Sequence, residues 1–148
     1  MMNRKAVGGA MLAAMSLAAA NASADPTRVP LDQETSVGGV GVACTGIGQT
    51  KNDPKWLAYP ARVEFAGPGG EYLANETLTV SDAKGGEVLA VSCEGPWILL
   101  KLPPGKTFKV DGQVEGAPAV TVSAKVRAPS HGQARFVLRF PDVSRSPE

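Results

Sequence analysis

Short runs in which apolar and polar residues alternate dominate the chain after residue 60. The clearest run covers 118–126, where Val120 and Val122 fall on one face and Thr121 and Lys125 fall on the other. A period of two residues is typical of a half-buried β-strand. Similar runs, bounded by turn residues such as Gly, Pro and Asp, predict further strands over 62–66, 77–81, 87–93, 97–102, 107–114 and 136–140.

The spacing of these runs indicates the fold class. No stretch after residue 60 shows the long 3.6-residue period of an amphipathic helix. Short strands separated by turn signals are typical of a sandwich of two antiparallel sheets. We therefore predict an all-β fold, a single small β-sandwich of the immunoglobulin-like or transthyretin-like kind with about seven strands.

Several glycines lie close together between residues 38 and 48. The sequence Gly-Gly-Val-Gly at 38–41 predicts a twisted or bulged edge strand near 38–42. A phosphate-binding loop would need a helix directly after the glycines, and the glycine-containing stretch 44–48 cannot begin one. One short helical turn is expected near 52–58, because Asp53 suits the N-cap and Pro54 suits the first helical position.

The N-terminal residues have the pattern of a secretory signal peptide. Arg4 and Lys5 precede an apolar stretch over 6–20, and small residues at 22 and 24 form a cleavage motif. The alternative is a membrane anchor, but a spanning helix needs about 20 apolar residues and this run is shorter. We expect a periplasmic or secreted protein without a membrane span after signal cleavage, organised as a signal peptide (1–24), a flexible N-terminal segment (25–37), a β-sandwich domain (38–141) and a flexible C-terminal tail (142–148).

The two cysteines, Cys44 and Cys93, share the phase of apolar neighbours such as Val42 and Val91. Both thiols should therefore point into the core. In an oxidising compartment such a pair usually forms a disulfide, and closing this loop would stabilise the fold by about 4 kcal/mol in the chain-entropy model. The alternative, a metal or redox site, lacks support because the chain has no CxxC motif and a single histidine.

The charge balance bears on the possible partners. The chain has 15 Lys and Arg against 14 Asp and Glu, and removing Arg4 and Lys5 leaves 13 against 14, a net charge of −1. A nearly neutral protein with scattered basic residues has no electrostatic footprint for nucleic acid or anionic lipid. We expect no nucleic-acid partner and a monomer.

Catalytic and metal chemistry are difficult to build from these residues. His131, the single histidine, lies in a loop between Ser130 and Gly132, where a solvated side chain is the simpler interpretation. A hydrolytic triad needs a nucleophile oriented by a base, and no Gly-x-Ser-x-Gly motif is present. A structural zinc site needs about four Cys or His ligands. We therefore expect a protein that is not an enzyme and that binds no cofactor or metal.

Four ordered motifs resemble small exported bacterial proteins described as carboxypeptidase regulatory-like domain proteins. The motifs are Gly-Gly-Val-Gly at 38–41, Tyr-Leu-Ala at 72–74, Gly-Pro-Trp at 95–97 and Leu-Pro-Pro-Gly at 102–105. The resemblance covers roughly 37–140 and implies a transthyretin-like β-sandwich without catalytic activity, with no site residues to carry over. The chain departs from the family in one turn, since Phe108 comes one residue later than the family pattern has it.

The aromatic residues Trp56, Tyr59, Tyr72 and Trp97 are candidates for a binding surface. Both faces of the predicted strand 97–102 are apolar, and Trp97 lies on one of them. This strand is therefore either central and covered on both sides or has one apolar face exposed. The alternative to a binding role for Trp97 is packing beneath the segment around Trp56.

Three functional classes follow from these observations. The first is a non-catalytic binding or accessory domain of the cell envelope that recognises an unidentified envelope protein or glycan. The second is a periplasmic enzyme inhibitor that presents a surface loop, either 129–133 or 103–106. The third is a small hydrolase. The first class requires nothing that the sequence lacks.

Overall fold

A computed structural model describes residues 25–141 of the chain. These residues form ten β-strands: β1 (Thr27–Arg28), β2 (Glu34–Val37), β3 (Val40–Thr45), β4 (Ala61–Ala66), β5 (Glu76–Ser81), β6 (Glu87–Cys93), β7 (Trp97–Leu100), β8 (Thr107–Val114), β9 (Ala117–Arg127) and β10 (Ala134–Arg139). The first sheet has the order β1-β6-β5-β8-β9, and the second has the order β10-β4-β7-β3-β2. The prediction of an all-β sandwich is confirmed, with ten strands instead of about seven.

The core lies between the two sheets, where alternate side chains of every long strand meet. Val63 and Phe65 of β4 and Ile98 of β7 face Leu78 and Val80 of β5 in this cluster, and all five are fully buried. The intervening side chains lie on the outer face of their sheet, meaning the face directed away from the other sheet. The period-two pattern of the sequence thus identifies the inner faces correctly.

The chain before residue 45 differs from expectation. The segment 25–37, expected to be flexible, contributes β1, which pairs in parallel with β6, and β2, which pairs antiparallel with β3. The stretch near 38–42 is consequently not an edge strand, because β3 lies between β2 and β7. Gly38 and Gly39 form the turn of the β2–β3 hairpin with φ values of 58° and 78°, a left-handed conformation that favours glycine.

The predicted disulfide is confirmed. Cys44 on β3 and Cys93 on β6 are bonded, with their Cα atoms 5.7 Å apart and 49 positions separating them in the chain. The bond joins the second sheet to the first through the core. It therefore fixes the relative position of the two layers as well as closing a long loop.

A segment of two short 3₁₀ helices, Gln49–Asn52 and Pro54–Ala58, connects β3 to β4. The Asp53 side chain accepts a hydrogen bond from the backbone N–H of Lys55 at 2.9 Å, and Pro54 occupies the first position, as the sequence predicts. The helical portion begins earlier than expected, since Gln49–Asn52 is also helical. This 3₁₀ segment covers part of the outer face of the second sheet.

Two predictions concern the ends of the chain. The signal peptide at 1–24 and the tail at 142–148 lie outside the described residues. Within 25–141, no helix is long and apolar enough to cross a membrane.

Candidate functional site

The four predicted aromatic residues form two separate pairs, and three of the four side chains are buried. Trp56 and Tyr59 are 5% and 3% exposed, and they pack on Ala43 of β3 beneath the 3₁₀ segment. Trp97 is 8% exposed, whereas Tyr72 is 44% exposed. Tyr72 stands edge-on over Trp97, with ring centroids 5.9 Å apart. The structure therefore contains no row of four exposed aromatic rings within its described part, and Tyr72 is the ring that reaches solvent.

The buried pair, Trp56 and Tyr59, anchors the 3₁₀ segment to the second sheet and to the loop before β10. The indole Nε1 of Trp56 donates to the carbonyl of Thr50 at 2.7 Å. The Gln133 side chain donates to the carbonyls of Trp56 and Tyr59 at 2.8 Å and 3.0 Å, which ties the loop before β10 to the 3₁₀ segment. These contacts fix the 3₁₀ segment over the fully buried Leu99 of β7.

A small cavity of about 300 Å³ lies beside this pair, lined in part by Glu34, Tyr59 and Lys101. Lys101 forms an ion pair with Glu34 at 2.8 Å and lies 4.8 Å from the centre of the Tyr59 ring. Burial, together with the charge and hydrogen bond of Glu34, raises the pKa of Tyr59 to about 12. Glu34 and Lys101 pair with each other, and Asp32 accepts a hydrogen bond from the Thr45 hydroxyl, so the geometry of the cavity does not point to a ligand.

Tyr72 and Trp97 belong to a larger group on the outer face of the second sheet. We call it the guanidinium cluster; it consists of Arg62, Glu64, Tyr72, Trp97 and Arg135. Glu64 points outward from β4, between the inward-facing Val63 and Phe65, yet it is fully buried. Arg135 of β10 covers it, donating through Nη2 to Glu64 Oε1 at 2.8 Å and through Nε to Oε2. Arg62 Nε lies 2.8 Å from the same Oε2.

This geometry is a bidentate Arg–carboxylate pair with a second arginine beside it. Such pairs have the strongest geometry available to side-chain ions, because two parallel N–H donors match two oxygens. The guanidinium carbon of Arg62 also lies 4.3 Å from the centre of the Trp97 ring, a cation–π contact. Two guanidinium groups against one carboxylate leave the cluster with a net charge of +1.

The electrostatics keep Arg135 charged. Hydrogen bonds to Glu64 and the negative charge of Glu64 raise the pKa of Arg135 above its already high ordinary value, with a smaller contribution from Tyr72. The indole Nε1 of Trp97 is buried beneath the cluster and has no hydrogen-bond partner among residues 25–141. Arg135 and Tyr72 thus form an exposed rim over the buried Glu64 and Trp97.

The patch continues along β10 beyond the cluster. Val137 is 41% exposed, and Arg139 is exposed with its Nη1 3.4 Å from the carbonyl of Pro68. Val137 pairs in register with Glu64, and Arg139 pairs with Ala66. The outer face at this edge of the second sheet therefore presents a half-exposed tyrosine, an exposed valine and two arginines.

A second buried glutamate lies elsewhere, in the core. Glu76 begins β5 in phase with the buried Leu78 and Val80, and both of its carboxyl oxygens are buried without a hydrogen-bond partner in the described part of the chain. Burial raises its pKa to about 9, so the group is neutral at physiological pH. Its register neighbours are Cys93 on β6 and Val114 on β8, which places the carboxyl beside the disulfide.

The described residues offer no alternative centre for metal chemistry. Across 25–141, no group of three or more His, Cys, Asp and Glu side chains is placed to hold a metal ion. His131 is exposed in the loop before β10. The two loops considered for inhibition, 129–133 and 103–106, lie at the surface, the first of them held by Gln133.

No protein-family model and no curated protein sequence matches this chain.

Sequence patterns could not identify most of the cluster. Glu64 and Arg135 are 71 positions apart and meet because β10 pairs in parallel with β4, a pairing that alternation does not specify. Glu76 was also missed, but a signal was present. It continues the inward phase of Leu78 and Val80, and a carboxylate in that phase predicts a buried charge or a neutralised acid.

Proposed function

We propose that the chain is a non-catalytic binding or accessory domain of the cell envelope, and that the guanidinium cluster with the adjoining part of β10 is its contact surface. The sandwich fold and the resemblance to carboxypeptidase regulatory-like domains agree with this role. The disulfide and the signal-like N-terminus favour a periplasmic or secreted location. The partner is a protein or a glycan.

One observation carries the proposal: an exposed Tyr72 and an exposed Arg135 are held rigidly above a fully buried carboxylate, Glu64. Burying Glu64 costs several kcal/mol in desolvation, which the bidentate arginine geometry must offset. An arrangement that merely keeps a sheet face soluble would not need this carboxylate. Preorganised Tyr and Arg side chains are also the residues most enriched at binding hot spots.

A second candidate is the enzyme inhibitor. The observation that favours it is the anchoring of the loop 129–133, whose Gln133 bonds to two carbonyls of the 3₁₀ segment. A loop held in this way has lost conformational freedom before binding, and this preorganisation improves affinity. The loop is adjacent in the chain to β10, so both candidates can be tested in the same experiment.

The test is capture from envelope extract by the purified, disulfide-bonded protein, followed by a parallel screen of immobilised glycans. Tyr72→Ala should remove most of the captured partner, because it removes the exposed ring of the patch. The matched control is Leu57→Ala, which truncates another exposed apolar side chain on the 3₁₀ segment. Loss with Tyr72→Ala and retention with Leu57→Ala supports the proposal.

Trp97 provides an independent readout, since it lies directly beneath Tyr72. In a Trp56→Phe variant, Trp97 is the remaining tryptophan of the chain. A partner that binds at the patch should then change its fluorescence. If Tyr72→Ala leaves capture intact and the double variant His131→Ala, Gln133→Ala abolishes it, the result favours the inhibitor loop. Capture insensitive to both would contradict the proposed surface.

A further inference from the structure

The strand β10 forms one edge of the second sheet. It pairs in parallel with β4 from Ala134 to Arg139, and no other strand within 25–141 pairs with it. The backbone N–H of Ala134 donates to Pro60 and that of Phe140 donates to Ala66, both at 2.8 Å. Along a β-strand the backbone groups of successive residues point to opposite sides, so positions an even number apart face the same neighbour.

This spacing determines which backbone groups β10 leaves free. Ala134 and Phe140 are six positions apart, so the even-numbered residues direct their N–H and C=O groups toward β4. The odd-numbered residues Arg135, Val137 and Arg139 direct theirs away from the sheet. An unpaired row of this kind is a template for another strand.

The side chains of the same three residues determine which strand would fit. Arg135 and Arg139 flank Val137 on the outer face, so a partner strand should place acidic residues opposite the arginines and an apolar residue between them. On the inner face, Phe136 and the β9 residue Val122 are partly buried apolar groups packed against the core. The intervening residues of the partner should therefore be apolar.

A second copy of this chain fits the edge poorly. Antiparallel pairing of two β10 strands centred on Val137 would place Arg135 of each copy opposite Arg139 of the other. Like charges directly opposite on neighbouring strands are destabilising. The arginines thus protect the edge against self-association while making it complementary to an acidic strand.

The edge of the first sheet that lies beside β10 does not share these features. The strand β9 forms this edge, and the side chains of its residues Thr121 and Ser123 already hydrogen-bond to Gln113 and Asp111 of β8. It exposes no large apolar side chain comparable to Val137. Of these two edges, β10 is the one that combines free backbone groups with an exposed valine and two flanking arginines.

We propose that β10 accepts an extended acidic segment of a partner protein as an added strand, with carboxylates opposite Arg135 and Arg139. The inference rests on the proposed binding function and narrows its partner from a protein or glycan to an acidic β-strand. Main-chain hydrogen bonds provide affinity in this mode, and alternate side chains provide specificity. Arg135 keeps its bond to Glu64, which holds the guanidinium at the edge.

The probe is the fluorescein-labelled peptide Thr-Glu-Val-Val-Val-Glu-Thr, and its binding to the purified, disulfide-bonded protein is followed by fluorescence anisotropy. We expect saturable binding that weakens as salt is added. The matched peptide with lysines in place of both glutamates should bind at least about tenfold more weakly. N-methylation of two consecutive central valines should also abolish binding, because one of the two amides must donate to β10.

Variants of the protein complete the test. Arg139→Glu should weaken binding of the acidic peptide about tenfold and favour the lysine peptide. The control replaces Lys125 and Arg127, exposed basic residues on the β9 edge, by glutamate and should leave binding unchanged. Val137→Pro removes an N–H that faces away from β4, so the variant should remain folded by circular dichroism while losing the peptide.

Each result has a definite meaning. Failure of the acidic peptide to bind, or equal binding of the N-methylated or lysine peptide, would overturn the inference. If the peptide fails in this way but capture from envelope extract depends on Tyr72, the proposed function stands and only the inference of an added strand is wrong. If sedimentation shows a dimer that Val137→Pro dissolves, a second copy occupies the edge and the inference is wrong.

Discussion

The buried carboxyl of Glu76 makes the stability of the protein depend on pH in a calculable way. Its side chain is 1% exposed, its pKa is raised from 4.5 to about 9, and the cause is burial. In the unfolded chain the carboxyl ionises at its ordinary pKa. The folded state therefore holds a proton between these two values that the unfolded state releases. Stability falls as pH rises through this window and is unaffected by Glu76 below it.

The magnitude follows from the linkage relation. Each pH unit within the window lowers the free energy of unfolding by about 1.4 kcal/mol. At pH 7 the buried acid therefore costs about 3 kcal/mol relative to acid conditions, a large part of the 5–15 kcal/mol typical of a domain. The substitution Glu76→Gln keeps the shape of the side chain but cannot ionise. It should remove this dependence, although the extra N–H donors of the amide add a cost that does not vary with pH.

The assay is urea unfolding of the disulfide-bonded protein, followed by tryptophan fluorescence at several pH values from 5 to 8. The advantage of Glu76→Gln over the original chain should grow by about 4 kcal/mol across this range. Glu115→Gln is the control, because Glu115 is exposed one strand away and should show no such trend. An advantage that stays constant with pH would refute the reasoning, since it would mean that Glu76 ionises in the folded state as it does in the unfolded chain.

Three further predictions test other parts of the fold. Replacing Cys44 and Cys93 by alanine should lower the free energy of unfolding by about 4 kcal/mol in urea; a loss below about 1 kcal/mol would contradict the role of the cross-link. Gly112→Ala would place a Cβ 2.6 Å from a core side chain, and it should cost about 1–3 kcal/mol in the same assay, whereas no cost would show that the core is loose. The pKa of Tyr59, about 12, should fall in Glu34→Gln when phenolate absorbance is titrated, and an unchanged value would exclude any contribution from Glu34.

Alternation accounts for what could be predicted from the sequence. A period of two residues fixes which side chains of a strand face the core, and the inner faces of β4 to β6 and of β8 to β10 follow from it. Strand β7 is apolar and buried on both faces, so alternation does not identify its inner face. The same rule placed Cys44 and Cys93 on inner faces, where bonding between the sheets was the simplest outcome. The strands β1 and β2 escaped this rule, because they are short, polar and half-exposed, so their sequence resembles that of a flexible lead-in.

The candidate site could not be predicted in the same way, for a physical reason. Its central contact joins Glu64 and Arg135 across a parallel pairing of β4 and β10, and local periodicity contains no information about which strands become neighbours. The aromatic residues were visible in the sequence, but their exposure depends on tertiary contacts, such as those by which the 3₁₀ segment packs its own Trp56 against the second sheet. Tyr72 reaches solvent because it follows a turn at the end of β4 and packs over Trp97 from outside.

The two buried glutamates differ in what surrounds them. Glu76 lies in the core, where its carboxyl oxygens have no hydrogen-bond partner among the side chains of residues 25–141, and burial raises its pKa to about 9, so that it is neutral at pH 7. Glu64 lies on an outer face, where Arg135 binds it through two N–H donors and Arg62 Nε lies 2.8 Å from its Oε2. A neutral acid can serve packing alone, whereas a buried carboxylate fixes the position of the arginines that cover it. One of these arginines, Arg135, lies on β10 beside the free backbone groups of that strand. Glu64 therefore fixes a guanidinium group at the edge where we expect a partner to bind.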